Sequence, residues 1–226
     1  GLYRARLVNG KLEGAFTVEG QTALPIQWTG MRAPEIKDKD DGTWREGKPV
    51  KLFNGKDLKC WVPVEKDREM RWTVKNGLMS NLEGAPNLVS ARKFWNFKIH
   101  LEYKLPEHGN SGLGLRGRYE VQMADSVGRP VGTHMHGALY SRIAPSVNAS
   151  RPFSEWQTLD VTLIGRDVTV VLNGQKIIDR QVIEGPTAVV SDPDESAPGP
   201  IFIQGDHRPV EVRSVVVTPL VKAGRY

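Results

Sequence analysis

The sequence predicts an all-β fold, a jelly-roll β-sandwich, and three observations carry that prediction. Short extended runs recur along the whole chain, with turn signals roughly every eight to twelve residues. Residues 97–105 alternate strictly: Phe97, Ile99, Leu101, Tyr103 and Leu105 fall on one face, and Lys98, His100, Glu102 and Lys104 on the other. That is the pattern of a half-buried strand. There is also no alternation of strand and helix patterns and no internal repeat, which leaves a sandwich or barrel.

Composition sets the outer bounds. A chain of 226 residues accommodates one large β domain or two small ones. The net charge is +5, but the basic residues are scattered, without a like-charged block or a basic helix. Nucleic acid is therefore not an expected partner. Cys60 is the only cysteine, so no intrachain disulfide forms and stability must come from the core. No apolar run approaches the roughly 20 residues needed to span a bilayer as a helix. The chain starts at Gly1 without a methionine, and we expect a periplasmic or exported protein whose signal or lipoprotein segment has been removed.

Residues 1–49 are expected to form an N-terminal β-hairpin extension and a linker loop packed on the main domain, which occupies residues 50–226. Extended runs at 4–8, 14–18 and 24–28 are separated by Asn9-Gly10 and Glu19-Gly20, and Asn-Gly is a strong hairpin signal. Residues 31–49 are polar and proline-bearing, a surface loop packed by Trp44. Asp38, Asp40 and Asp41 lie there, but without the spaced ligands and distal Glu of an EF-hand they read as a solvated loop.

From Val50 the β pattern is continuous. Leu52-Phe53 precede the turn at 54–57, and Trp61 closes that unit. Residues 72–74 and 78–80 flank Asn76-Gly77 as a hairpin, and 87–90 lead toward Phe94. After the 97–105 strand comes the 110–126 stretch, then a Gly- and His-rich loop at 128–137, a short strand at 138–140 and a long loop at 143–152. A hairpin follows at 156–164 and 167–172, and Asn173-Gly174 turns into 175–179. Residues 185–199 are acidic and proline-rich, a surface loop, and 201–204 and 210–219 complete the sheets.

The chemistry is expected in residues 110–126, NSGLGLRGRYEVQMADS. In extended conformation Leu113 and Leu115 share one face and Arg116 points to the other. Tyr119, Val121 and Met123 form an apolar row, and Glu120 and Gln122 a polar one. A polar row on a strand is ordinarily a solvated exterior. Here the flanking Asn110-Ser111-Gly112 and Gly117 allow sharp turns or close approach to a ligand. A cation, a carboxylate and an amide on one wall would suit a polyhydroxylated substrate.

The succession Leu52-Phe53-Asn54-Gly55-Lys56-Asp57-Leu58, Trp61, Trp72-Thr73-Val74 and Asn76-Gly77-Leu78 resembles the opening of the 3-keto-disaccharide hydrolase domain family. Further matches follow in order: Glu102 in LEYK, Asn110-Ser111-Gly112, Arg116, and Tyr119-Glu120-Val121-Gln122 followed by Asp125. After these come Gly137-Ala138-Leu139-Tyr140, Glu155-Trp156-Gln157, Asn173-Gly174 and Gly199-Pro200-Ile201. The likeness covers roughly residues 50 to 220. Two departures stand out: Lys59-Cys60 before the first Trp, and Gln204-Gly205-Asp206-His207 in place of a Gln-Asp-His-Gly or Gln-His-Gly order, which places His207 differently.

The resemblance implies a concanavalin-like jelly roll of two stacked antiparallel sheets, acting on a 3-keto glycoside or disaccharide. A C3 ketone acidifies the C2 proton, so the glycosidic bond can break by elimination and water can add back. Glu120 or Glu102 is then the base, and Arg116 faces the ketone or enolate oxygen. Asn110, Ser111, Gln122, Asp125, Tyr140, Trp156 and Gln204 contact substrate, and His134 or His136 serves as acid or metal ligand. A divalent ion, calcium or another, is an alternative holder of the enolate, with His136 among its ligands. Glu102 sits among lysines, as an ordinary charged exterior would. Trp156 suits packing under its loop as well as stacking on a sugar. The Glu120-x-Gln122-x-x-Asp125 run is similar to the carboxylate strand of retaining β-glucanases, but Gln122 stands where a second carboxylate is required. A non-catalytic carbohydrate-binding module on the same fold is the alternative, and a purely structural domain the third.

Overall fold

The computed structural model describes residues 1–18, 20 and 24–222, and every regular element among them is a strand. No helix of the described residues is long and apolar enough to cross a membrane. The chain divides into two compact units, Gly1–Glu35 and Ile36–Tyr226.

The first unit is an antiparallel sheet of β1 (Leu2–Val8), β2 (Lys11–Thr17) and β3 (Ile26–Met31), in that order. Asn9 and Gly10 both take positive φ, 51° and 78°, which is the tight turn their sequence predicts. The second expected turn, Glu19-Gly20, falls at Glu19 outside the described residues. Tyr3 lies opposite Phe16, and Phe16 opposite Ile26, so one face of the sheet is apolar.

The second unit is a sandwich. Its larger sheet is built from β4 (Trp44–Glu46), β5 (Val50–Phe53), β7 (Trp72–Lys75), β8 (Leu78–Asn81), β10 (Phe97–Lys104), β13 (Gln157–Ile164), β14 (Asp167–Leu172), β15 (Gln175–Val182) and β17 (Glu211–Lys222). The order is β15-β14-β13-β10-β17-β8-β7, with β4 and β5 also paired to β17. The smaller sheet joins β6 (Trp61–Pro63), β9 (Leu88–Phe94), β11 (Asn110–Leu115), β12 (Tyr119–Ala124) and β16 (Gly199–Ile203), in the order β12-β11-β16-β9-β6. Every pairing is antiparallel. The fold is the expected jelly-roll sandwich.

The alternation read from the sequence explains how the sheets stack. Phe97, Ile99, Leu101 and Tyr103 of β10 and Leu113, Leu115, Tyr119, Val121 and Met123 of the β11–β12 hairpin are all buried in one cluster. Burying each such side chain contributes about 1.5–3 kcal/mol. Truncating one, as in Leu101→Ala, costs about 2–5 kcal/mol.

Three loops differ from a simple surface reading. Within 31–49, Trp44–Glu46 forms a strand against β17, and Asp38 accepts hydrogen bonds from Trp95 Nε1 (2.8 Å) and Asn96 Nδ2 (2.9 Å). The short strand expected at 138–140 is reduced to Leu139, bridged to Val121 and Ile143, and it covers the free edge of β12. The 185–199 loop buries Thr187 and Glu195, because Thr187 N donates to Arg118 O (2.9 Å) and Tyr119 Oη donates to Glu195 (2.7 Å).

Candidate active site

The site lies on the face of the smaller sheet turned away from the core. With a period of two, Asn110, Gly112 and Gly114 of β11, Glu120 and Gln122 of β12, and Phe202 and Gln204 at β16 share that face. The register sets Glu120 opposite Gly114 and Gln122 opposite Gly112, and pairs Gly114 with Phe202. The two glycines make the space. A Cβ on Gly112 would collide with Glu120 Oε1, and one on Gly114 would lie 2.7 Å from Phe202 Cβ. Both glycines are buried beneath those side chains, which lie close on the backbone and leave a depression beside them.

That depression is a pocket of about 230 Å³ lined by Asn110, Glu120, Gln122, Tyr140, Ala188, Val189, Gln204 and His207. Its walls are held by backbone bonds. Tyr140 N donates to Glu120 O (3.0 Å), Gln122 N to Ala138 O (2.9 Å) and Gln204 N to Gly112 O (3.0 Å). Thr187 Oγ1 accepts from Glu120 N (2.9 Å), which fixes the segment carrying Ala188 and Val189.

Glu120 is the anomalous group. It is 3% exposed, and no Lys or Arg among the described residues pairs with it. Burial pushes its carboxyl up to about 7; the charge of His207 lowers it and that of Asp206 raises it. The Gln122 amide has two orientations. In one, Nε2 donates to Asn110 Oδ1 (3.1 Å). In the other, which satisfies both ends of the amide, it donates to Glu120 Oε1 and Ser111 O, each at 3.2 Å. The second fits the donor and acceptor inventory better, and it gives the carboxylate a neutral partner.

The structure therefore brings together Asn110, Glu120, Gln122, Tyr140 and Gln204. It places the other expected residues elsewhere, each for a physical reason. Arg116 does not face the pocket: φ of +54° at the hairpin end turns its side chain into the sandwich. There it donates to Trp95 O (2.6 Å), Gly165 O (2.8 Å) and Asn96 Oδ1 (3.0 Å), and stacks on the Trp95 ring. Glu102 lies on the other sheet, ion-paired to His100 (3.1 Å) and to Arg213, and those hydrogen bonds hold its carboxyl below the usual value. Trp156 stands on that side too, away from the pocket, with Arg213 and Lys104 over its ring.

Ser111 points to the core and donates to Gln204 O (2.7 Å), positioning Gln204 without reaching the pocket. Asp125 accepts from His108 N (3.0 Å), closing the β10–β11 loop. His134 bonds Ser141 Oγ (2.8 Å) and packs edge-on behind Tyr140. His136 is buried, hydrogen-bonded to Tyr103 Oη and Ser150 Oγ (3.0 Å), and burial pulls it down to about 4. With both ring nitrogens engaged it has no lone pair aimed at an ion. Among the described residues no group of three or more His, Cys, Asp or Glu is placed to hold a metal. The set expected for a divalent ion does not come together.

His207 is the residue that sequence reasoning set aside. Its departure from the family order was visible, but the loop geometry that brings it to the pocket was not. A larger cavity of about 520 Å³ on the outer face of the nine-stranded sheet is lined by charges that pair with one another, Lys98 with Glu46 and Lys176 with Asp179. It has no unpaired buried carboxyl of the Glu120 kind, and we place the chemistry in the smaller pocket.

Comparison with known proteins agrees with the sandwich fold. Residues 48–218 match the 3-keto-alpha-glucoside-1,2-lyase-like domain. A curated 3-keto-disaccharide hydrolase of Bacteroides thetaiotaomicron is 23% identical over 167 residues, covering 58% of this chain and 57% of that protein. The match thus spans little more than half of the relative's length. Two crystal structures from Parabacteroides distasonis, both provisionally assigned as glycosyl hydrolases, share the fold. One has a TM-score of 0.65 at 24% identity, covering 78% of this chain and 90% of that one. The other has a TM-score of 0.61 at 20% identity, covering 76% and 100%.

Proposed function

Because the chain belongs to the 3-keto-α-glucoside-1,2-lyase-like domain family, we propose that it cleaves the glycosidic bond of 3-keto glycosides or disaccharides, with Glu120 as the base that takes the C2 proton. The observation that carries this reading is the buried Glu120 carboxyl, unpaired with any described cation, at the floor of a pocket of neutral amides. A base serves best when its pKa lies near the working pH, and Glu120 sits at about 7.

The substrate explains why the site needs one carboxylate rather than two. With a ketone at C3, removal of the C2 proton leaves an enolate, which expels the C1 oxygen and forms a C1–C2 double bond. No oxocarbenium ion develops, so the paired carboxylates of ordinary glycosidases have no role. The enolate oxygen falls to the side-chain amides of Asn110 and Gln204, both lining the pocket with Glu120. Aimed dipoles in a site that excludes water are effective donors to developing negative charge. A pocket of about 230 Å³ is smaller than the roughly 300–1,000 Å³ of drug-sized ligand sites. It suits one oxidised sugar ring, with the aglycone outside.

The test is incubation of the purified protein with a 3-keto-disaccharide and, separately, its unoxidised parent. Cleavage of the keto sugar alone supports the reading, and a 2-hydroxy-glycal intermediate supports elimination. Binding of both sugars without cleavage of either would favour the non-catalytic binding module instead.

A further inference from the structure

We propose that His207, held by Asp206, is the acid that protonates the departing glycosidic oxygen. The inference rests on the reading of Glu120 as the base and assigns the other half of the proton traffic. His207 lines the same pocket as Glu120. Its Nδ1 lies 2.8 Å from Asp206 Oδ1. A carboxylate can only accept, so Nδ1 carries the proton of that bond. Among the described residues Nε2 has no protein hydrogen-bond partner. An imidazole fixed through one nitrogen with the other free toward a reacting group is the arrangement of an oriented acid or base.

The loop that carries the pair is built, although His207 itself is half exposed. Two buried asparagines fasten it. Asn87 Oδ1 accepts from Gly205 N (2.7 Å) and Asp206 N (3.3 Å). Asn81 Nδ2 donates to Gly205 O (3.0 Å), and its Oδ1 accepts from Val210 N (2.7 Å). Gly84 N donates to His207 O (3.3 Å). Gly205 is pressed between Pro86 O and Trp72, where a Cβ would lie 2.7 and 2.8 Å from them. This many side-chain-to-backbone bonds on consecutive residues fixes where the next side chain points. The charges of His207 and Asp206 both act on the Glu120 carboxyl, which places the three groups in one electrostatic neighbourhood.

The steps balance. Glu120 carboxylate takes the C2 proton, and its electron pair forms the enolate and then the C1–C2 double bond. The C1–O bond breaks with its pair on the aglycone oxygen, which takes the Nε2 proton of His207 imidazolium. Water then adds across the double bond. Its hydroxyl goes to C1, its remaining proton to His207 Nε2, and Glu120, whose proton exchanges with solvent, delivers a proton to C2. Both groups end as they began, and no oxidant or reductant is consumed.

Leaving-group dependence tests the assignment. Methyl and 4-nitrophenyl 3-keto-glucosides would be compared for wild type, His207→Gln, His207→Asn and Asp206→Asn, with a thermal melt of each. A nitrophenolate leaves without a proton, whereas methoxide requires one. The His207 variants are expected to lose at least about 100-fold in kcat on the methyl glycoside and less than about threefold on the nitrophenyl one. Asp206→Asn, which changes a positioning residue, should show the same selectivity with a smaller loss. Equal losses on both glycosides, or no loss on either, would overturn the proposal while leaving Glu120 as base. If wild type cleaves neither glycoside, the function itself falls and the acid with it.

Discussion

Glu102 and Glu120 are the same residue on two strands of the same alternating kind, yet the sandwich gives them opposite chemistry. Glu102 faces out from the nine-stranded sheet, where His100 and Arg213 hydrogen-bond it and hold its carboxyl low. Glu120 lies under Tyr140 and the 187–189 segment, where burial pushes it up to about 7. One carboxylate is stabilised as an ion and has lost basicity; the other keeps it. A base is made by what is withheld from a carboxyl as much as by what is placed beside it.

The sharpest way to break this comparison is to remove each carboxylate in turn. Glu120→Gln is expected to lower kcat on a 3-keto-disaccharide by about 10³-fold, within the usual 10²–10⁴ range for a general base. Glu102→Gln should change it by less than about threefold, read in the same steady-state assay. Next in size is the far side of the hairpin. Arg116→Met leaves buried carbonyls of Trp95 and Gly165 without their donor, at a cost of about 2–4 kcal/mol in denaturant unfolding. The kcat of the folded fraction should be unaffected, whereas a residue holding the enolate would lose turnover first.

Stability against pH sharpens the contrast further, because the two glutamates have opposite signs. The folded pKa of Glu120 is raised, so the folded state binds the extra proton. Its stabilisation is complete below the unfolded value near 4.5 and is lost as pH rises through about 7. Glu120→Gln should therefore be more stable than wild type at pH 8, by about 1–3 kcal/mol in chemical denaturation. Glu102 has a lowered pKa, and its contribution is present above the unfolded value and lost as pH falls. Glu102→Gln should cost only about 0.2–1 kcal/mol at pH 7. The finest probe is Gly112→Ala. Its Cβ would meet Glu120 Oε1, so kcat should fall about tenfold or more while the melting temperature moves by only a few degrees.

Much of this was legible in the chain. The strict alternation of 97–105 and 119–123 named the core rows, and Asn9-Gly10, Asn76-Gly77 and Asn173-Gly174 named the turns, because both signals are local. Glu120 and Gln122 emerged on one wall for the same reason, whereas Asn110 read locally as a turn residue and reached the site only through the family resemblance. Local pattern could not say which sheet a strand joins, so Glu102 and Glu120 looked equivalent until β10 and β12 fell into different sheets. Arg116 was assigned by extending the strand period one residue past its end, where a positive φ breaks it. His207 was invisible as a site residue because its position depends on Asn81 and Asn87, more than a hundred residues earlier.

The most direct test of Glu120 as the C2 base is cleavage of a 3-keto-disaccharide in D₂O, with deuterium at C2 of the released keto sugar read by mass spectrometry against an enzyme-free control. Elimination and hydration through Glu120 predict one deuterium at C2 per turnover for wild type and Glu102→Gln, and no enzyme-dependent incorporation for Glu120→Gln. Cleavage that leaves the C2 proton in place, or incorporation by Glu120→Gln at the wild-type rate, would contradict it.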